Sequence, residues 1–138
     1  MAVRLRLMLK TGSSKASLTA LANSGYEAEE PEILVPVSQA RRLGLWPKLP
    51  DNVEVEHYST AGGIVKMYKI PNYGKAMVEE KDRHSAEINC TLVISEHEEE
   101  VLLSDKLLDA LKIALVKPGA GLWRFQDDPP TKLRKSKK

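Results

Sequence analysis

The sequence predicts a small, mainly β domain, a closed or nearly closed β-barrel with two short helices. Three observations carry that expectation. Val3 to Lys10 alternates apolar and basic residues over its first half, the period-two signature of a half-buried strand. Short apolar runs such as Ile33-Leu34-Val35 and Ile88 to Ser95 are bounded by turn-forming residues, as strands are. Helix signals are confined to two short segments, a capping Ser38 with Gly44 after Leu43, and the one-faced Leu107, Leu108 and Leu111. With 138 residues, 42% of them hydrophobic, the chain has the length of one domain and enough apolar side chain for a single core.

Taken in order, the first strand turns at Thr11-Gly12-Ser13-Ser14 into a second, Ala16 to Ala22, which ends at the turn residues Asn23-Ser24-Gly25. Glu27 to Glu32 is an acidic loop leading into the buried strand Ile33 to Val35, stopped by Pro36. Ser38 is expected to cap a short helix through Leu43, with Gly44 taking the left-handed conformation at its end. Val53 to Ser59 and Ile64 to Ile70 form a hairpin through Thr60-Ala61-Gly62-Gly63. Pro71 to Gly74 reads as a turn before another strand, Lys75 to Glu80, and Ile88 to Ser95 follows. After the acidic loop Glu96 to Glu100 comes the buried run Val101-Leu102-Leu103. Ser104 and Asp105 then open a helix through Leu111. Ile113 to Val116 and Leu122 to Phe125 make a closing hairpin.

Charge is unevenly placed. The net charge is +2, yet Lys132, Arg134, Lys135, Lys137 and Lys138 all fall in the last eight residues, so the rest of the chain is net negative. This divides the chain into a barrel domain, 1–126, and a Pro-containing linker with a basic C-terminal arm, 127–138. Such an arm either neutralises phosphates, with Arg4 and Arg6 of the first strand adding to it, or is a solubilising terminus with no partner. One cysteine, Cys90, and three scattered histidines give no zinc-type spacing, so neither a metal nor a cofactor is expected. The uncharged stretches are too short to span a membrane, and basic residues interrupt any apolar leader; a cytoplasmic protein without membrane contact is expected.

The order of elements resembles the retropepsin-like (retroviral-type) aspartic peptidase domain. The likeness rests on Ala22-Asn23-Ser24-Gly25 at the end of a strand, on Arg42-Leu43-Gly44-Leu45, on a glycine-tipped hairpin at Gly62 and Gly63, and on Leu102-Leu103-Ser104-Asp105 before the late helix. It covers roughly Leu5 to Val116. The family implies a catalytic Asp where this chain has Asn23, a flap at the hairpin, and a homodimer in which two carboxylates share a proton. An amide does not titrate near neutrality, so Asn23 cannot act as the general base toward water. Ser24 and Gly25 still match, which implies that the turn persists without the chemistry.

Two functions follow as expectations. One is a non-catalytic retropepsin-like binding or structural module, part of a ribosome-like or other nucleoprotein assembly, meeting RNA or DNA phosphate and neighbouring proteins through its basic termini. The alternative is a homodimeric aspartic endopeptidase in which Asn23 is an inactivating substitution. Glu27, Glu29 and Glu30 follow the turn and read as a solvated loop, not as a replacement acid.

Overall fold

The computed structural model describes residues 2–137. The elements are β1 (Arg4–Thr11), β2 (Ser14–Leu21), β3 (Glu32–Pro36), α1 (Val37–Arg42), β4 (Glu54–Thr60), β5 (Gly63–Val78), β6 (Ile88–Ser95), β7 (Val101–Leu103), α2 (Asp105–Ala110), β8 (Ile113–Lys117), β9 (Leu122–Phe125) and β10 (Arg134–Lys135). Seven strands form one sheet in the order β1-β2-β7-β3-β6-β5-β4, and an added antiparallel pairing of β1 with β5 joins it to itself. Six strands thereby close a barrel, leaving β4 as a flange on β5. The architecture is mainly β with two short helices, as the strand pattern predicts.

Alternation along β1 explains the interior. Leu5, Leu7 and Leu9 are fully buried and face Ala20, Leu18 and Ala16 of β2 in antiparallel register. Leu7 and Leu9 also lie opposite Val78 and Ala76 of β5. Leu5 and Leu9 thus meet alanines while Leu7 meets Leu18 and Val78, so that side chains of unequal size fill a narrow barrel. Each fully buried leucine stabilises the fold by about 1.5–3 kcal/mol relative to leaving it exposed.

β5 makes closure possible and corrects one expectation. Ile64 to Ile70 and Lys75 to Glu80 are not separate strands, because β5 runs unbroken from Gly63 to Val78. Pro71 to Gly74 is instead an irregularity in its pairing with β6, with Asn72 at φ 56°. Such a bulge bends a strand without ending it. The first half of β5 can therefore pair with β4 while the second half swings onto β1, and β6 accompanies both. Gly74 allows a close approach there: a Cβ would lie 3.2 Å from Leu9 Cδ1 and 3.3 Å from Cys90 Sγ, so those side chains would have to shift by a few tenths of an ångström to admit one.

α2 starts as its sequence predicts: the Ser104 hydroxyl accepts from Leu107 N–H at 3.2 Å. α1 does not. Pro36 occupies the cap position with no side-chain bond, and Ser38 lies inside the first turn, because β3 runs straight into the helix and leaves no turn for a capping hydroxyl. Gly44 does adopt the left-handed conformation after α1, at φ 71°.

The last segment, read from sequence as a linker and arm, lies along the body. β10 pairs with β9 through Arg134 opposite Trp123 and Lys135 opposite Leu122, giving a second sheet ordered β10-β9-β8. Lys137 N–H then donates to Arg4 O at 2.8 Å. This strand was not anticipated from its Lys/Arg composition. Among the described residues no helix is long and apolar enough to cross a membrane.

Candidate functional site

Asn23, Ser24 and Gly25 follow the end of β2 and are exposed. Gly25 has φ +113°, a conformation that favours glycine. Its N–H donates to the Asp105 carboxylate, 2.9 Å to one oxygen and 3.2 Å to the other. Asp105 N–H in turn donates to Tyr26 O at 2.8 Å. The start of α2 therefore holds the turn from both sides. The two motifs singled out in the sequence, Asn23-Ser24-Gly25 and Leu102-Leu103-Ser104-Asp105, meet here in space, although 80 residues separate Gly25 from Asp105.

Next to this turn opens a cleft of about 600 Å³, lined by the segment that follows it and by the base of the β4–β5 hairpin. Leu34, Met67, Val93 and Leu102 supply apolar wall, Tyr26 and Tyr58 supply aromatic wall, and Glu27, Glu29, Glu30, Glu32 and Glu54 supply five carboxylates against the single ammonium of Lys69. Asn23, Ser24, Gly25 and the hairpin-tip residues Gly62 and Gly63 are not among its lining residues. Ala61 and Gly62 form the tip turn, and β5 starts at Gly63.

Polar contacts in the cleft fall into two classes. At its inner wall, the Tyr26 hydroxyl donates to Glu32 Oε1 at 2.7 Å, while Lys69 Nζ lies 3.6 Å from Glu32 Oε2 and 3.8 Å from Glu56 Oε1. Burial first, then the Glu32 hydrogen bond, raise the pKa of Tyr26 far above that of a free phenol. Tyr58 donates to Glu56, and that bond, with burial, pushes its phenol up to about 12. Both tyrosines keep their protons at neutral pH and serve as donors. At the rim, Glu27, Glu29, Glu30 and Glu54 are exposed.

Ser104 joins this wall to α2. Its hydroxyl accepts from Glu32 N–H at 2.8 Å as well as from Leu107, and Ser104 N–H donates back to Glu32 O at 3.0 Å. The acidic run 27–32 was visible in the sequence as charge, but Glu32, Tyr58 and Lys69 were not singled out. Their partners lie on other strands, so no local pattern could have marked them.

The basic residues proposed for phosphate binding are placed differently from a free arm. Arg134 has a side chain only 5% exposed; its Nε lies 2.9 Å from Asp128 Oδ2 and its terminal nitrogens lie 2.7 and 2.8 Å from the Asp82 oxygens. Lys132 pairs with Asp82 at 3.0 Å, Lys137 with Glu80 at 3.0 Å, and Arg4 with Glu100 at 2.8 Å. Lys135 and Arg6 are exposed and form no ion pair among the described residues. Lys138 lies outside the described residues.

His57, His84 and His97 are exposed, and Cys90 is buried, which pushes its thiol up to about 12. A thiol so raised is no nucleophile at neutral pH. Among the described residues no group of three or more His, Cys, Asp and Glu side chains is arranged to hold a metal ion. No family model matches the chain, and no curated protein matches it.

Proposed function

We propose that this protein is a non-catalytic binding module of the retropepsin-like type, and that its cleft beneath the β4–β5 hairpin takes an extended, basic segment of polypeptide. The single observation that carries the reading is the lining of that cleft: apolar and tyrosine walls under a rim of exposed carboxylates that form no ion pair among the described residues. Apolar walls bury alternate side chains of an extended ligand, and the rim attracts lysine or arginine side chains between them. Asn23 supports the absence of catalysis, because the turn that would present a shared proton carries an amide instead.

Binding of a basic peptide and of its acidic counterpart, followed by fluorescence anisotropy, tests this. The basic peptide is expected to bind more tightly by about tenfold or more at low salt and to lose that advantage as salt rises. Reversing the rim with Glu29→Lys and Glu30→Lys is expected to abolish the preference. Equal binding of the two peptides overturns the reading. The endopeptidase alternative is tested on the same protein: the unmodified chain is expected to leave unfolded protein uncut at about pH 4–6, where a proton-sharing pair works. Cleavage there would overturn the non-catalytic assignment, and a gain of cleavage only in Asn23→Asp would mark Asn23 as the inactivating substitution.

The nucleoprotein expectation has a narrower base than the sequence suggested. Arg134 is buried, and Lys132, Lys137 and Arg4 each face a carboxylate. A diffuse polybasic arm is therefore not available, and any contact with phosphate must use the cations where the fold holds them.

A further inference from the structure

We propose that a second cleft, formed where the C-terminal segment crosses β1 and β9, is a binding site for a phosphate group carried on an organic body. It is independent of the acidic cleft and shares none of its lining residues. Its volume is about 460 Å³, and it is lined by Arg4, Ala120, Gly121, Leu122, Lys135, Ser136 and Lys137. Three cations and no carboxylate therefore line it among the described residues, the reverse of the balance in the acidic cleft.

The cations are brought together by backbone bonds, not by chance proximity of flexible side chains. Arg4 N–H donates to Ser136 Oγ at 2.7 Å across 132 residues of sequence, and Lys137 N–H donates to Arg4 O at 2.8 Å. Ser136 N–H donates to Gly121 O at 2.8 Å. The two ends of the chain are thus stitched into one wall.

Two of the three cations have carboxylate partners, and these leave capacity for a ligand. Arg4 uses one terminal nitrogen on Glu100 at 2.8 Å, while a guanidinium has five N–H donors. Lys137 faces the buried Glu80 carboxylate at 3.0 Å but is itself 36% exposed, and an ammonium has three N–H donors, so it can face a phosphate without leaving Glu80. Lys135 has no ion pair among the described residues to give up. Ala120 and Leu122 add apolar wall, which selects a phosphate ester over the inorganic ion. A nucleotide and the end of a nucleic-acid strand share this chemistry.

The test is fluorescence anisotropy on the full chain with a short single-stranded oligonucleotide labelled at its 3′ end, with and without a 5′-phosphate, at about 50 mM salt, where phosphate contacts are strong. The 5′-phosphorylated strand is expected to bind more tightly, and Lys135→Gln to weaken it by about tenfold, with a salt slope smaller by about 0.7 for the lost contact. Ala120→Trp, at an exposed position, fills the cleft with no change of charge and is expected to weaken binding equally. Lys66→Gln removes an exposed lysine of the hairpin, outside the cleft, and is expected to have no effect beyond about twofold. Displacement of the strand by a mononucleotide at comparable concentration assigns the site to free nucleotides; resistance to it assigns the site to strand ends. The proposal is overturned if Lys135→Gln and Lys66→Gln act alike while Ala120→Trp is silent, or if the 5′-phosphate makes no difference.

Discussion

The cleft beneath the β4–β5 hairpin and the segment 127–137 draw on the same charged residue types and handle them in opposite ways. In the C-terminal segment and the loop it crosses, Glu80, Asp82, Asp127 and Asp128 alternate in space with Arg83, Lys132, Arg134 and Lys137, and the charges are mutually matched. Aromatic faces complete that cluster: Arg83 lies 4.2 Å above the Phe125 ring, and Arg134 lies 5.0 Å from Phe125 and 5.7 Å from Trp123. In the cleft, four rim glutamates of like sign face open space. Charge in the first region holds the fold together; in the second the rim charge has no ion-pair partner among the described residues. A charge count by segment cannot tell these two uses apart.

The most severe way to break this contrast is Arg134→Met. Removing one partner leaves Asp128, itself 5% exposed at the side chain, buried without its main counter-charge. A loss of about 3–5 kcal/mol is expected in urea unfolding. A loss under about 1 kcal/mol would make the cluster an ordinary surface patch.

Acid titration sharpens the same point. The Arg134 hydrogen bonds hold the carboxyls of Asp82 and Asp128 below the ordinary range, and Arg83 does so for Asp127. Each of these groups binds fewer protons folded than unfolded. The stability they add is fully present above the unfolded-state pKa of about 3.9 and is lost as pH falls through the lower folded values. Unfolding free energy should therefore be level above about pH 5 and drop below about pH 4, with a shallower drop in Arg134→Met.

Ser104→Ala comes next in size and probes the cleft wall through two hydrogen bonds between a hydroxyl and backbone N–H groups. It removes the acceptor for both Leu107 N–H and Glu32 N–H, and about 1–2 kcal/mol should be lost. That loss should be insensitive to salt, because neither bond involves a charged side chain.

The smallest effect on stability is expected at the rim. Glu30→Gln relieves like-charge repulsion and should leave stability within about 0.5 kcal/mol, on the favourable side. A clear loss in urea unfolding would mean that the rim carboxylates hold the fold as the C-terminal ones do, and the contrast would fail.

Local pattern was enough for much of the barrel. Leucines on alternate positions of β1 can be buried together only on one face of a strand, so their inward direction follows from period two alone. The Ser104 cap and the left-handed Gly44 were legible for a similar reason, since each depends on neighbours a few residues away. The candidate site was legible only in pieces. Asn23-Ser24-Gly25 and Ser104-Asp105 stood out as short motifs, and the acidic run after the turn stood out as charge, but Tyr58 and Lys69 entered the cleft only through their strands' pairing.

The sequence by itself determined the strand-rich class, the inward face of β1 and the presence of an amide at position 23, because residue type and short-range spacing fix all three. Tertiary structure alone decided that β5 bends through Pro71 to Gly74 to close the barrel, that the Lys/Arg-rich end is bound and not free, and that the acidic loop opens onto a cleft. Each of those outcomes depends on partners far away in sequence: β1 and β6 for β5, Asp82 and Asp128 for Arg134, Lys69 and Tyr58 for the acids around Glu32. Coulombic attraction and hydrogen bonding act on distance in space, and distance in space between remote segments is set only when the chain has folded.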